Sequence, residues 1–312
     1  MFDFDRLIER RGTHASKWDN MQKVSGIDPA DGIPMWVADM DFGAPPGVVE
    51  ELRTFVDRGV YGYYADTGSW AEALGAWNSK RHGWVPEPDW VSPTPGIVSG
   101  LGLIMQAFSE PGDEIVVFPP AYHAFRRIIA NNNRRILDAE LEEQQGRYVM
   151  NLDALGEKLT ERTKIVIFCS PHKPGGTVWG IEEIRALAQF CADRDLILVS
   201  DEIHCDLVFD GAKHTPTIVA APEVKDRLIT CVAATKTFNL AGAHEGACVT
   251  FNPDLKACLD QRIAAASLAS YNAFGMIATE AAWRTGEAWL DELLPYLQAN
   301  RDLLHQGICE AL

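Results

Sequence analysis

The chain has 312 residues, of which 47% are hydrophobic, and a formal net charge of −16. That content is enough for one large core or two smaller ones, and nine tryptophans and thirteen phenylalanines argue against disorder. The negative charge, without any Lys/Arg-rich block, argues against nucleic acid or an anionic membrane surface as a partner.

The N-terminus and the cysteines indicate a cytoplasmic protein. Residues 1–12 are charged from the third residue onward and lack the apolar centre of a secretory signal. No apolar run approaches membrane-spanning length. The seven cysteines are odd in number and never occur at C-x-x-C spacing, so we expect reduced thiols that act as small hydrophobes.

The first third of the chain predicts an arm followed by two helices. Residues 1–32 are expected to form an N-terminal arm with a short helix. The apolar run 33–42 contains two aspartates. Two structures explain it equally well: an edge strand that ends in a turn, or a loop that faces the substrate. Helices are predicted over 47–58 and 69–82, on either side of the aromatic-rich turn 61–68.

A candidate anion site and a candidate stacking residue follow. A glycine turn at 94–96 leads into an apolar helix over 97–109, and a helix N-terminus attracts anions. Most such helices bind nothing, so this signal is weak alone. Tyr122 comes shortly after the apolar strand 114–118, where it could stack on a planar ring or simply cover the core.

Between residues 114 and 251, short apolar runs alternate with amphipathic segments. This pattern indicates an α/β fold with a mostly parallel sheet covered by helices on both faces. Ligands bind such sheets at the carboxyl ends of the strands. Strands are predicted over 114–118, 164–169, 196–201, 228–235 and 246–251, and helices over 152–163, 181–194, 254–268, 272–285 and 288–312.

Two charged residues at predicted strand ends indicate the chemistry. Lys236 follows a buried run, and partial desolvation of an ammonium lowers its pKa and makes the amine a useful nucleophile for an aldehyde. A lysine that extends to solvent is the alternative. Asp201 ends the preceding strand, and a carboxylate that keeps a pyridinium protonated, together with such an amine, is what a pyridoxal phosphate (PLP) site needs.

Two further residues fall at the same predicted edge. Lys173 lies in a turn rich in proline and glycine, residues 170–176. His204 follows Asp201 by three residues and is a candidate contact to the ligand, although a buried structural histidine explains it as well.

Seven motifs occur in the order found in one family. The chain resembles the fold-type I PLP-dependent enzymes of the class I/II aminotransferase superfamily, and within it the cystathionine β-lyase branch that includes the MalY and PatB proteins. The motifs are MWVADMDF (35–42), YGYY (61–64), PGIVSGL (95–101), PPAYHAF (119–125), SPHKPGG (170–176), SDEIHCDL (200–207) and TKTFNLAG (235–242).

The resemblance implies a PLP-dependent transferase-like α/β fold, PLP as the cofactor, and a carbon–sulfur β-lyase that releases a thiol, pyruvate and ammonia. It implies that Lys236 bonds to the cofactor aldehyde and then removes the substrate Cα proton. Asp201 would pair with the pyridine nitrogen, and Tyr122 would stack on the ring.

The resemblance also assigns the remaining contacts. Lys173 would stand at a position that contacts the cofactor, and Tyr63 would reach the phosphate of the neighbouring subunit, so a homodimer is implied. His204 is kept as a candidate cofactor contact because of its place after Asp201, not because of the resemblance. The phosphate would be held by the backbone of Gly96, Ile97 and Val98 together with Thr235, and the substrate pocket would be lined by Val37 and Ala38.

The sequence departs from the family at three places. Lys173 stands where an asparagine usually hydrogen-bonds the phenolic oxygen of the cofactor, and His244 stands where many transaminases have a phosphate-binding arginine. Relatives also continue into a small C-terminal domain that supplies the arginine for the substrate carboxylate. We therefore expect a truncated chain: an N-terminal arm with part of a small domain (residues 1–46), a PLP-binding domain (47–285) and the start of the C-terminal small domain (286–312).

Two other functions remain compatible with these residues. An aminotransferase of the same superfamily would use Lys236 and Asp201 equally well. A PLP-binding regulatory protein with vestigial catalysis is the alternative from another class.

Overall fold

The computed structural model describes residues 2–311 of the chain. Its helices, in chain order, are α1 (Ser16–Asp19), α2 (Met21–Ser25), α3 (Pro46–Asp57), α4 (Gly68–His82), α5 (Ile97–Phe108), α6 (His123–Asn131), α7 (Leu152–Lys158), α8 (Ile181–Ala192), α9 (Thr217–Ala220), α10 (Ala234–Thr237), α11 (Pro253–Ala265), α12 (Ala273–Thr285) and α13 (Glu287–Ala311).

The strands form one large sheet and a separate hairpin. They are β1 (Val91–Thr94), β2 (Glu114–Val117), β3 (Arg135–Asp138), β4 (Glu142–Gln144), β5 (Arg147–Val149), β6 (Thr163–Cys169), β7 (Ile197–Asp201), β8 (Leu228–Val232) and β9 (Gly246–Thr250). The large sheet has the order β1-β9-β8-β7-β6-β2-β3, and β4 pairs with β5. Neighbours from β8 to β3 run parallel, whereas β9 is antiparallel to both β1 and β8. This arrangement confirms the predicted α/β fold class.

The sheet is buried on both faces. Successive side chains of a strand point to opposite faces, and each face packs into its own apolar cluster. In β2, Ile115 and Val117 join one apolar cluster, and Val116 joins the other. Both clusters continue through β6, β7 and β8 in the same alternation. Strands that bury side chains on both faces therefore appear in the sequence as mostly continuous hydrophobic runs.

Residues 33–42 form a loop, so the expected edge strand is wrong and the alternative of a loop is correct. Side chains from elsewhere satisfy the groups of this segment. Asn239 accepts a hydrogen bond from Met40 N (2.9 Å) and donates to Met40 O (3.0 Å) and Phe42 O (2.8 Å). Arg10 and Lys17 bind its two aspartates. These bonds replace the ladder that a strand would need.

Four strands were missed by the sequence analysis, and they are short and partly polar: β1, β3, β4 and β5. The predicted helix over 152–163 ends earlier, at Lys158. Lys236 lies in the single-turn helix α10 rather than at the end of β8. The last helix matches its prediction up to Ala311, and Leu312, like Met1, lies outside the described residues.

Within residues 2–311, no helix combines the length and the apolar character needed to cross a membrane. The seven cysteines, all within this range, are free thiols, and five of them are buried.

Candidate functional site

A cavity of about 370 Å³ opens at the carboxyl ends of β6, β7 and β8. We call it the front cavity. It brings together residues that lie far apart in the chain, which is the expected consequence of parallel strands that end at one edge. The predicted site residues that line it are Gly96, Ile97, Val98, Tyr122, Lys173, Asp201, His204, Thr235 and Lys236.

Asp201 is a buried carboxylate at the base of this cavity. It is 5% exposed, and within the described residues its one observed side-chain hydrogen bond comes from the Ile203 N–H, at 3.2 Å. Burial raises the pKa of Asp201 to about 6, although Lys173 and Lys236 act in the opposite direction. A buried carboxylate with so few donors is suited to a cationic N–H group of a ligand.

Lys236 presents its amine to the same space. Its Nζ donates to the carbonyl oxygen of Ala38, at 3.1 Å. Burial is the largest cause that lowers the pKa of Lys236, and the positive charge of Lys173 is the second. A lower pKa gives a larger fraction of neutral amine, the form that attacks an aldehyde.

Ala38 and Val37 line a smaller adjoining cavity of about 200 Å³, together with Lys236 and Asn239. The loop that carries them is fastened by Asn239, three residues after Lys236. Asn239 was missed by the sequence analysis, although its place inside the motif 235–242 was visible. Its backbone is left-handed, with φ of 58°, a conformation that asparagine adopts more readily than most residues.

Lys173 and Tyr122 touch one another. The Nζ of Lys173 lies 4.7 Å from the centre of the Tyr122 ring, a cation–π contact. Burial lowers the pKa of Lys173 and raises that of Tyr122. A second amine therefore stands on the ring that the resemblance assigns to cofactor stacking.

The N-terminus of α5 forms another wall. Gly96 precedes it with φ of 81°, a conformation that favours glycine. The first N–H groups of a helix have no partner inside the helix, so those of Ile97 and Val98 are available to an anion. The lining residues outside the predicted site include Ser99, Arg127 and His244, whose side chains are polar.

His204 lines the front cavity, the adjoining cavity of about 200 Å³ and a third cavity of about 430 Å³. Burial, reinforced by the positive charges of Lys173 and Lys236, lowers the pKa of His204 to about 3, so its imidazole is neutral at pH 7. Tyr63, in contrast, is 93% exposed and does not line the cavity. Its predicted role, across a subunit interface, stays a prediction.

The residues present fit PLP. Lys173, Lys236 and Arg127 make the cavity a cationic site in a chain of net charge −16, which suits a phosphate ester. The helix N-terminus supplies phosphate donors, Asp201 supplies a partner for a protonated ring nitrogen, and Lys236 supplies the amine for the aldehyde.

Comparisons with known proteins agree with this geometry. The family model described as aminotransferase class I and II matches residues 31–311. Cystathionine beta-lyase PatB of Bacillus subtilis is 38% identical over 299 residues, which cover 96% of this chain and 77% of that protein.

Two solved structures superpose closely. The PLP-bound putative aminotransferase from Clostridium difficile has a TM-score of 0.95 at 32% identity and covers 99% of this chain and 80% of its own. The PLP-bound C-S lyase from Staphylococcus hominis has a TM-score of 0.91 at 31% identity, with 98% and 76% covered.

Proposed function

Because the chain belongs to the aminotransferase class I and II family, we propose that it is a PLP-dependent carbon–sulfur β-lyase acting on amino acids with sulfur on the β-carbon, such as L-cystathionine. The comparisons confirm the predicted family and its use of PLP. The observation that carries the proposal is the convergence of Lys236 and Asp201 on one cationic cavity at the strand ends.

Each residue then has a defined task. When bound, PLP supplies an electron sink for the electrons of the substrate Cα–H bond. The carboxylate of Asp201 holds the proton on the ring nitrogen, and its burial strengthens that pair. Lys236 Nζ would bind the aldehyde at rest, would be released when the amino group of the substrate takes its place, and would then be free to accept the Cα proton. The Cβ–S bond then breaks, the thiolate takes up a proton, and water releases pyruvate and ammonia.

The wall formed by the N-terminus of α5 would hold the anionic end of the cofactor. The N–H groups of Ile97 and Val98 and the side chain of Thr235 would bind the phosphate, and Arg127 would add a positive charge at the rim. Lys173 would donate to the phenolic oxygen in place of the usual asparagine. Val37 and Ala38 would face the substrate.

An aminotransferase remains the second candidate, because one of the similar solved structures is named a putative aminotransferase. His244 favours the lyase, since it lines the cavity where many transaminases place an arginine on the phosphate. A regulatory protein with vestigial catalysis is the third candidate, and Lys173 in place of asparagine is the feature that favours it.

We also propose a cytoplasmic homodimer. Support for the dimer comes from Tyr63, which is 93% exposed beside Val60, 75% exposed, as a tyrosine that serves a neighbouring subunit would be. Free thiols agree with a reducing compartment. The division into residues 1–46, 47–285 and 286–312 is likewise retained as a proposal.

The test combines a label with a product assay. The purified protein is mixed with PLP, reduced with borohydride and mapped by peptide mass spectrometry, and pyruvate is measured with L-cystathionine in the absence of a keto acid. We expect the label on Lys236 and pyruvate release. Lys236→Ala should lose the label, and its pyruvate release should fall by about 10³-fold or more, because the proton acceptor is gone.

The outcomes separate the three candidates. Label without pyruvate, with product formed only when a keto acid is added, would identify an aminotransferase. Label with no turnover in either assay would identify a regulatory protein. A label found only on Lys173 would refute the assignment of the reacting amine.

A further inference from the structure

A second polar cluster lies behind the front cavity, on the other side of Lys236. We call it the rear network: Thr237, Asp206, His82, His214 and Glu202. The side chains of its two acid–histidine pairs are 1–6% exposed, and Thr237 is fully buried. A larger cavity, of about 920 Å³, reaches His82, Asp206 and His214 from the surface.

Asp206 is the centre of one half of the network. Its Oδ2 accepts hydrogen bonds from the Thr237 hydroxyl at 2.7 Å and from the Trp77 indole N–H at 3.1 Å. Its Oδ1 lies 2.8 Å from Nε2 of His82. These bonds hold the pKa of Asp206 below its ordinary value despite burial. Asp206 is therefore an ionised carboxylate whose two oxygens are both occupied.

Glu202 is the centre of the other half. It accepts hydrogen bonds from the Ser200 hydroxyl and the Thr217 N–H, both at 2.9 Å, and lies 3.1 Å from Nε2 of His214. The rings of His214 and His82 pack edge to face with their centres 5.7 Å apart, so the two halves touch.

The network ends beside both reacting groups of the front cavity. Thr237 directly follows Lys236, and Glu202 directly follows Asp201. Lys236 lies in α10, a single turn without a side-chain cap, and one turn does not fix its own orientation. The bond from Thr237 to Asp206 ties this turn to the segment that follows β7.

We propose that Thr237 and Asp206 are positioning residues that aim Lys236 Nζ into the front cavity, and that His82 keeps Asp206 in place. They do not touch the substrate, and they act through the backbone of α10. The inference rests on the proposed role of Lys236, which the Lys236→Ala variant tests separately.

The test removes one hydroxyl and keeps the shape of the side chain. Thr237→Val breaks the bond to Asp206. Thr230→Val is the matched control, because Thr230 is a fully buried threonine of β8 whose hydroxyl has no hydrogen-bond partner among residues 2–311. Thr237→Ser restores the hydroxyl. The readouts are the rate at which PLP and borohydride label Lys236, and the visible circular dichroism of the bound cofactor, which reports its orientation.

We expect Thr237→Val to label Lys236 about 10- to 100-fold more slowly and to change the circular dichroism, since small misplacement of a reacting group is costly. Thr230→Val should stay within about twofold of the natural chain, and Thr237→Ser should recover most of the rate. Melting curves confirm that every variant is folded at the working temperature.

The inference would be overturned if folded Thr237→Val had the same labelling rate and circular dichroism spectrum as the unsubstituted chain. It would also be overturned if Thr230→Val lost as much labelling rate as Thr237→Val. If Thr237→Val does not fold, His82→Gln is measured with the same readouts, and natural values there overturn the inference as well. Absence of label in the natural chain would instead count against the proposed role of Lys236.

Discussion

Asp201 and Glu202 are neighbours at the end of one strand, yet their surroundings are opposite. Asp201 faces the front cavity with one observed hydrogen bond within the described residues, and burial raises its pKa to about 6. Glu202 faces the rear network with two hydrogen-bond donors and His214, and those partners hold its pKa below the ordinary value. Both are almost fully buried.

The contrast separates charges kept for a ligand from charges that hold the fold. In the front cavity, burial shifts the pKa values of Lys173, Lys236 and Asp201 toward their neutral forms, so contacts within the protein do not fully offset the cost of desolvating these charges. This is expected where a ligand provides the missing partners. In the rear network every carboxylate has its donors, so the cost is met within the chain.

The largest expected effect is on the free energy of unfolding, when Glu202 and Asp201 are each replaced by the uncharged amide in the cofactor-free protein. At pH 7, Glu202→Gln should lower the free energy of unfolding by about 2–4 kcal/mol, because it breaks a buried pair. Asp201→Asn should raise it by up to about 3 kcal/mol, the equivalent of moving the pKa from 3.8 to about 6. Urea denaturation measures both, and the same sign for the two variants would contradict the contrast.

The pH dependence sharpens this prediction. The stability that Asp201 contributes to the fold is fully present below its unfolded pKa and is lost as the pH rises through about 6. The increase in the free energy of unfolding caused by Asp201→Asn should therefore grow between pH 4 and pH 7. The pKa of Glu202 is held below its ordinary value of 4.5. The stability that Glu202 contributes is therefore present above pH 4.5 and is lost as the pH falls through the pKa of Glu202 in the folded protein. The loss from Glu202→Gln should therefore shrink in acid.

Lys173 provides a test of intermediate size. Its charge lowers the pKa of Lys236, so Lys173→Met should raise the pKa of Lys236 and move the pH at which PLP labels it half-maximally upward. Lys173→Asn should shift it in the same direction. Labelling rates across pH in the cofactor-free protein measure the shift. Lys164→Met, at an exposed site in β6, is the control, and an unchanged midpoint for Lys173→Met would mean that the two amines do not interact.

The smallest expected effect concerns Arg127, an exposed cation at the rim of the front cavity. Arg127→Ala should weaken PLP binding by up to about fivefold, since an exposed charge contributes about 1 kcal/mol or less. The difference from the natural chain should fall at high salt. Fluorescence titration at two ionic strengths checks this, and a loss that does not depend on salt would point to a direct, buried contact instead.

Much of the front cavity was predicted from the sequence because its residues follow apolar runs. A run that is buried on both faces of a sheet is visible without any neighbour, and its end marks where a ligand binds. Asp201, Tyr122 and Lys173 were located in this way, whereas the turn at Gly96 was recognised because it leads into a helix N-terminus. The helices were predicted from their amphipathic periodicity, which is also a local pattern, and most of those predicted agree with the structure to within a few residues.

The short strands and the loop at 33–42 were not resolved by sequence reasoning, because local pattern does not decide them. β1 and β3 are edge strands of only four residues, and the pairing partner of β1 is the distant strand β9. The loop depends on Asn239, about two hundred residues downstream. Tertiary contact overrides local propensity in such segments.

The sequence alone therefore determined the family and the fold class, and it led to the proposed pair Lys236 and Asp201, since these are encoded in contiguous motifs and in apolar runs that need no distant neighbour to be recognised. Only the tertiary structure decided which charges are paired. It placed Lys173 on the Tyr122 ring and joined Thr237 to Asp206 and His82, because burial and hydrogen-bond geometry exist only once distant segments have packed together.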